Sequence, residues 1–251
     1  MRKELRGIYS IWLRELIKFY RERIQFASAM TTPLLWLIIF GGGMGISLRA
    51  GIISSEYRAF IFPGIVGMTL LFTSMRSGIS IIWDREFGFL KEIFVAPISR
   101  TSIVIGKAMG GATNAIIQGT MLLLLSFIVG VHIAPIDFIR IIPIMLLISL
   151  GFDGFGLFIA SIIDSFEGFQ TIMSFIIMPT FFLSGALFPL TNAPAWLQIL
   201  SSLNPLTYGV DAIRGIILNE GRFPIYYDLF ILFVFSGFML FATSWIFNVK
   251  K

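Results

Sequence analysis

From Ile24 to Leu48 the chain carries no charged residue, and it repeats that pattern along most of its length. About 20 predominantly apolar residues in a helix rising about 1.5 Å each are enough to cross the hydrocarbon core of a bilayer. Ala59–Trp83 is broken only by Arg76, Ala108–Val131 is uncharged, Ile141–Ile163 is broken only by Asp153, and Leu229–Val249 is uncharged. With a further run after Gly168, the pattern predicts six spans over residues 24–48, 59–83, 103–131, 140–163, 167–188 and 228–249. Such a chain is an all-α, polytopic membrane protein. Its 57% hydrophobic content, mean hydropathy of +0.89 and only 13% charged residues exclude an ordinary soluble domain.

The run from Gly168 to Val210 is uncharged for 43 residues, too long for one straight crossing. Its first half is continuous and aromatic. Its second half holds Pro189, Asn192, Pro194, Asn204, Pro205 and Thr207, which interrupt regular helix. Backbone groups freed at such breaks cannot face lipid, so residues 189–215 are predicted to form a re-entrant helical hairpin. Charge parity agrees with six spans. Thirteen of the 19 Lys and Arg then fall in segments 1–23, 84–107 and 250–251, which the positive-inside bias places in the cytoplasm with both termini. In residues 5–20, Leu5, Ile8, Trp12, Leu16 and Phe19 alternate with Arg6, Arg14, Glu15 and Lys18 at helical spacing. That is a basic amphipathic helix of the kind that lies along a headgroup region. Charges throughout residues 1–23 are unlike a removable signal peptide.

No residue set for catalysis stands out. Cysteine is absent, His132 has no neighbouring ligand, and neither a phosphate loop nor a dinucleotide fingerprint occurs. The formal charge of +5 is spread at span ends and forms no nucleic-acid-binding domain. The chain is therefore read as no enzyme, without a metal or cofactor of its own.

The most informative stretch is Trp83-Asp84-Arg85-Glu86-Phe87-Gly88-Phe89-Leu90-Lys91-Glu92-Ile93-Phe94-Val95-Ala96-Pro97. Asp84 is suited to cap a helix start and Pro97 to stop it, which predicts a short cytoplasmic helix over 84–97. By composition that helix either rests on lipid or docks a cytosolic partner. Within the membrane, Arg76 is near enough to the inner end to snorkel, whereas Asp153 sits near mid-span, where a short carboxylate must be protonated, paired or facing a wet cavity. Asp164 and Glu167 join the fourth and fifth spans, either as helix caps or as a second acidic contact. Met173, Phe175, Met178, Phe181 and Phe182 surround Pro179 as either lipid-facing packing or the wall of a cavity.

The segment WDREFGFLKEIFVAPISR at 83–100, with Gly106-Lys107-Ala108 and with Leu203-Asn204-Pro205-Leu206-Thr207-Tyr208 followed by Asp211 and Arg214, resembles the ABC-2 type transporter permease family. It is most similar to the drug and lipo-oligosaccharide export branch, that of daunorubicin-resistance-like permeases. The resemblance covers nearly the whole chain and implies one transmembrane domain with the type V ABC exporter fold. It implies a dimer, a homodimer above all, working in the cytoplasmic (inner) membrane with a separate ABC ATPase that binds ATP and Mg. It assigns ATPase coupling to Asp84, Arg85, Glu86, Phe87, Phe89, Leu90, Lys91 and Glu92, and an outer gate to Pro189, Asn204, Pro205 and Tyr208. Asp153, Met178, Phe181 and Phe182 are the expected cargo path, for a hydrophobic drug, a lipid or a lipid-linked saccharide. Asp153 departs from the small or apolar residues of the family in this region. A secondary transporter or channel driven by an ion gradient through Asp153, or a membrane anchor that moves no cargo, are the competing readings.

Overall fold

Five helices among the described residues are long and apolar enough to cross a membrane: Tyr57–Glu86, Arg100–Phe127, Pro135–Ile162, Phe166–Leu183 and Ile225–Val249. The computed structural model describes residues 2–40, 54–88 and 98–249. In chain order the helices are α1 (Arg2–Arg21), α2 (Arg23–Ile38), α3 (Ser54–Glu86), α4 (Arg100–Leu124), α5 (Pro135–Ile162), α6 (Phe166–Leu183), α7 (Ala195–Ser202), α8 (Pro205–Leu218) and α9 (Ile225–Val249). Short 3₁₀ turns follow α4 at Leu125–Val129 and precede α7 at Leu190–Asn192. α2 takes in the first part of the stretch expected to span over 24–48. The rest of that stretch, like residues 89–97 of the expected 84–97 helix, lies outside the described residues.

α3 is the axis of the bundle. It packs on α2, α4, α5, α6 and α8, and Ile61, Phe62, Ile65, Leu70, Leu71, Met75, Ile81 and Ile82 along it are wholly buried. Lipid gives helices no hydrophobic reason to associate, so contact depends on close van der Waals fit at small residues. α3 and α5 meet at such a place. A Cβ on Gly78 would collide with the carbonyl oxygen of Gly156 and stand 2.8 Å from its carbonyl carbon; one on Gly156 would stand 2.7 Å from the carbonyl oxygen of Met75. The two backbones touch because neither carries a side chain there. α9 lies along the other side of α5, where Thr243 Oγ1 donates to the Gly154 carbonyl at 2.8 Å. Its remaining faces present Phe230, Phe233, Phe238, Phe241 and Trp245 outward.

Two ends of the bundle are built differently. At one, residues 190–218 form a 3₁₀ turn and the short helices α7 and α8. Asn204 caps α8, its Oδ1 accepting from the Leu206 N–H at 3.0 Å, and Pro205 takes the first helical position, where a missing N–H costs nothing. The Asn204 amide donates across to the Thr180 carbonyl at 2.6 Å, and Tyr208 donates its hydroxyl proton to the Ser202 carbonyl at 2.7 Å. Arg214 is buried, stacks 4.0 Å from the Phe60 ring and donates to the Gly185 carbonyl at 2.9 Å. Asp211 receives the N–H groups of Arg222 and Phe223 at 2.9 and 2.8 Å. The motif residues after Leu203 thus shape this segment and tie it to α3 and α6.

At the other end α1 lies against α4. Ile11, the buried position of its apolar stripe, packs on Ile103 and Ile98, and Trp12 Nε1 donates to Thr113 Oγ1 at 3.0 Å. Glu4 receives the N–H of Ser99 at 3.0 Å and the hydroxyls of Ser99 and Ser102 at 2.9 and 2.6 Å. The bond from Ser102, followed by those from Ser99, holds the Glu4 carboxyl below its usual range. A depressed carboxyl contributes stability above its unfolded pKa and loses it as pH falls through the folded value. Protection of the α1 amides, taken as their exchange relative to the intrinsic rate at each pH, should therefore fall on acidification below the usual Glu range, and Glu4→Gln should remove that loss. Protection in α1 that does not change over that range would contradict the contact.

Candidate functional site

Lys107 defines the centre of the charged end. α4 begins at Arg100, so Lys107 is two turns inside the helix, with its side chain only 1% exposed, and not in the inner loop where charge counting put it. Its ammonium donates to Asp84 Oδ2 at 2.6 Å, to Ser80 Oγ at 2.9 Å and to Glu15 Oε1 at 3.1 Å. All three of its protons are used. Asp84 is gripped from the other side by Arg14, whose two terminal nitrogens donate to Oδ1 at 2.7 Å and to Oδ2 at 3.2 Å. A planar guanidinium fork matched to a carboxylate is the strong form of such a pair. The cluster joins α1, α3 and α4 through four charged side chains, of which only Arg14 is appreciably exposed.

This arrangement corrects one expectation. Asp84 does not begin a separate helix; it is in the last turn of α3, which runs on to Glu86. Buried counter-charges on both sides keep the chain helical through Asp84, overriding its capping preference. Arg85 also turns inward, pairing with Asp164 and donating to the carbonyls of Ile163 and Ala160, each at 3.2 Å. It thereby anchors the α5–α6 connection. The cap of α6 itself is Ser165, which accepts from the Gly168 N–H at 3.2 Å, while Glu167 lies in the first helical turn. Trp83 stacks on Phe166 with ring centres 6.2 Å apart, and Lys18 of α1 stands 4.8 Å over the Trp83 ring. Glu86 and Phe87 face outward, Phe87 being 83% exposed. Phe89, Leu90, Lys91 and Glu92 lie outside the described residues.

The expected cargo-path residues do not form one group. Met178 and Phe182 lie on an exposed face of α6, while Phe181 is fully buried with its ring edge-on to Trp36 of α2 at 5.6 Å. Asp153 is fully buried in the helix bundle, against Gly111 and Ser77. Pro189, Asn204, Pro205 and Tyr208 meet in the short-helix segment at the opposite end from Lys107. Arg14, Glu15 and Lys107 carry the charged cluster, and sequence reasoning passed them over. The usable signal was the alternation of Glu4, Ile8, Ile11 and Glu15 at helical spacing, one face of α1 mixing acids with apolar residues.

A cavity of about 120 Å³ with a mixed lining opens beside the cluster, bounded by Glu15, Arg76, Lys107 and Gln118 together with Phe19 and Trp83 among others. No group of three or more acidic or histidine side chains among the described residues is disposed to hold a metal.

The sequence pattern of the ABC-2 type transporter family matches residues 6–218, which leaves α9 outside the match. The chain belongs to the ABC-2 type transporter family. The chain is similar to a putative transport permease, ycf38, of Cyanophora paradoxa, 31% identical over 94% of this chain and 88% of the relative. The inner membrane transport permease YadH of Escherichia coli K12 is 26% identical over 91% and 90% of the two chains. The probable multidrug ABC transporter permease YbhR of the same organism is 28% identical, over 69% of this chain and 47% of that protein. Read on this ABC-2 chain, the match takes in α1, the charged cluster and the short helices α7 and α8, and ends where α8 ends.

Proposed function

We propose that the chain is the membrane-spanning permease subunit of an ATP-driven exporter, which moves a hydrophobic drug, a lipid or a lipid-linked saccharide across the cytoplasmic membrane. Energy comes from a separate ABC ATPase that binds ATP and Mg and docks on the segment from Glu86 through Glu92. The observation that carries this reading is the Arg14–Asp84–Lys107–Glu15 cluster, which braces α1, α3 and α4 where that segment leaves the bundle. Asp84 and Arg85 face inward as struts; Glu86 and the exposed Phe87 face out as contact surface. A push received there reaches α3 and α4 together, since paired charges leave little slack between them. Such a push shifts the permease only as far as the ATPase binds its two conformations with different affinity.

The exposed side chains Phe175, Met178 and Phe182 of α6 face either a second copy of the chain or the cargo between two copies. Both copies place the hairpin at the outer end as a gate, held by Asn204 and Tyr208, with both termini inside. The drug and lipo-oligosaccharide branch is the assignment that the motif from Trp83 to Arg100 favours.

Purifying the tagged chain from its own cells should recover an ABC ATPase in stoichiometric amount, and vesicles holding both should export cargo only with ATP. Glu86→Arg or Phe89→Ala should remove the ATPase or leave its ATP turnover uncoupled from export. Full coupling in both variants would overturn the docking surface. Cargo movement driven by an ion gradient with no ATPase present would overturn the function itself.

A further inference from the structure

Asp153 is completely buried, and neither of its carboxylate oxygens receives a hydrogen bond of good geometry; the Ser77 and Ser74 hydroxyls are the polar groups turned toward it. The buried oxygens of Ser74, Ser77, Ser149 and Asn114 likewise make no hydrogen bond of good geometry. Helical spacing puts them on converging faces: Ser74 and Ser77 are one turn apart on α3, Ser149 and Asp153 on α5, Gly111 and Asn114 on α4. The convergence is tight at Gly111, where an added Cβ would collide with Asp153 Oδ1 and stand 2.7 Å from its Cγ and 2.9 Å from the Ser77 Cβ. Ser77, Gly111 and Asn114 also line the cavity that opens toward Glu15, Lys18 and Glu22. The oxygen cluster therefore backs directly onto an open cavity at the charged end.

Buried polar groups in native proteins are paired, and a buried carboxylate needs a compensating positive charge. Among the described residues no cation supplies it. On α3 the neighbours are the two serines; on α4, Gly111 and Asn114; and α9 contributes Met239 and Leu240 beside Gly154 with the Thr243 hydroxyl, none of them charged. The one charged side chain acting on Asp153 is Glu15 of α1, itself an acid. Lys107, the nearest cation of α4 along the cavity, is already shared by Asp84, Glu15 and Ser80. Arg76 lines the cavity from an exposed position on α3.

We propose that Asp153, with Ser74 and Ser77, binds one positive charge from solvent, a proton or an alkali cation, taken up through the cavity between α1, α3 and α4. A single carboxylate among hydroxyl and amide oxygens is a hard, singly charged donor set; it suits a monovalent ion and not a divalent one. The site is inside one subunit, away from the exposed Met178 and Phe182, so its occupant adjusts the packing of α3, α4 and α5 and is not the cargo.

The purified full chain in detergent distinguishes the two sources. If the ion is an alkali cation, the thermal midpoint rises saturably with NaCl or KCl against choline chloride at fixed ionic strength. If it is a proton, the infrared spectrum holds a protonated-carboxyl band and the midpoint follows pH. In Asp153→Asn the salt response should vanish or, in the proton case, the infrared band should lose the Asp153 carboxyl and the pH dependence of the midpoint should shrink to that of the remaining acids. Ser77→Ala, which keeps the carboxylate, should weaken apparent affinity for the ion by about tenfold, the worth of one hydrogen bond, and serves where the Asn variant does not fold. Salt response, pH response and infrared spectrum all unchanged in both variants would overturn the proposal.

Discussion

Lys107→Met is expected to destabilise the chain by about 3 kcal/mol, the lower part of the range for breaking a buried ion pair. The methionine fills nearly the same volume, so the loss is electrostatic. It strands Glu15, whose Oε1 is then left with Arg14 at 3.8 Å, and halves the compensation of Asp84. Arg14 remains on Asp84 through two hydrogen bonds, which keeps the loss below the top of the range. Unfolding of the purified chain by heat or by denaturing detergent measures the change, and exchange of the α1 amides should rise with it. Because the penalty comes from uncompensated acids, the double variant Glu15→Gln/Lys107→Met should cost less than the sum of the two single changes. A single variant within about 0.5 kcal/mol of the parent, the size of an ordinary surface substitution, would show that the cluster contributes no net stability.

Gly78→Val is expected to be comparably damaging by another mechanism. The Cβ alone meets the Gly156 carbonyl and stands 2.8 Å from the Phe169 ring, and valine adds two methyl groups to that contact. A backbone carbonyl on a packed helix cannot step aside, so α3 and α5 must separate, at about 3 kcal/mol by the usual cost of overpacking. Separation forfeits contacts along both helices, since lipid supplies no compensating pressure to hold them together. Gly237→Ala on α9 is the matched control: a Cβ there meets nothing within 4 Å, and stability should hold or rise slightly. Equal midpoints for the Gly78 variant and the control would refute a tight α3–α5 crossing.

What could be read without coordinates follows from the solvent. Lipid forbids charge over about 20 residues and forbids unpaired backbone. The uncharged runs therefore marked five helices long and apolar enough to cross, within a few residues, and the prolines from 189 to 205 fall where the long helices give way to short ones. Asn204 and Pro205 were read only as breaks in helix; that they also start α8 follows from cap and first-turn preferences, which are local. Asp153 was conspicuous for the same reason that it is rare. Where it points was not legible, because α5 is apolar on nearly every face and no stripe distinguishes its buried side.

Lys107 was read as a loop cation because positive-inside counting treats every Lys near a span end alike. Its partners Asp84 and Glu15 are 23 and 92 residues away in the chain. Nothing local signals such pairings. The cap expected at Asp84 failed on the same ground, since a capping preference of about 1 kcal/mol yields to two buried counter-ions supplied by other helices.

By itself, then, the sequence determined the solvent, the helical class, the places where helices break and the family motif after Trp83. Those follow from local hydropathy and backbone chemistry, which neighbouring residues settle among themselves. Only the tertiary structure decided which charges are buried together, that Asp84 and Arg85 brace the bundle while Phe87 faces out, and that Asp153 backs onto a cavity inside the subunit. Those depend on which helix faces meet, and in a chain this apolar the meeting is set by fit at Gly78, Gly156 and Gly111, a property of the assembled surface that no single stretch carries.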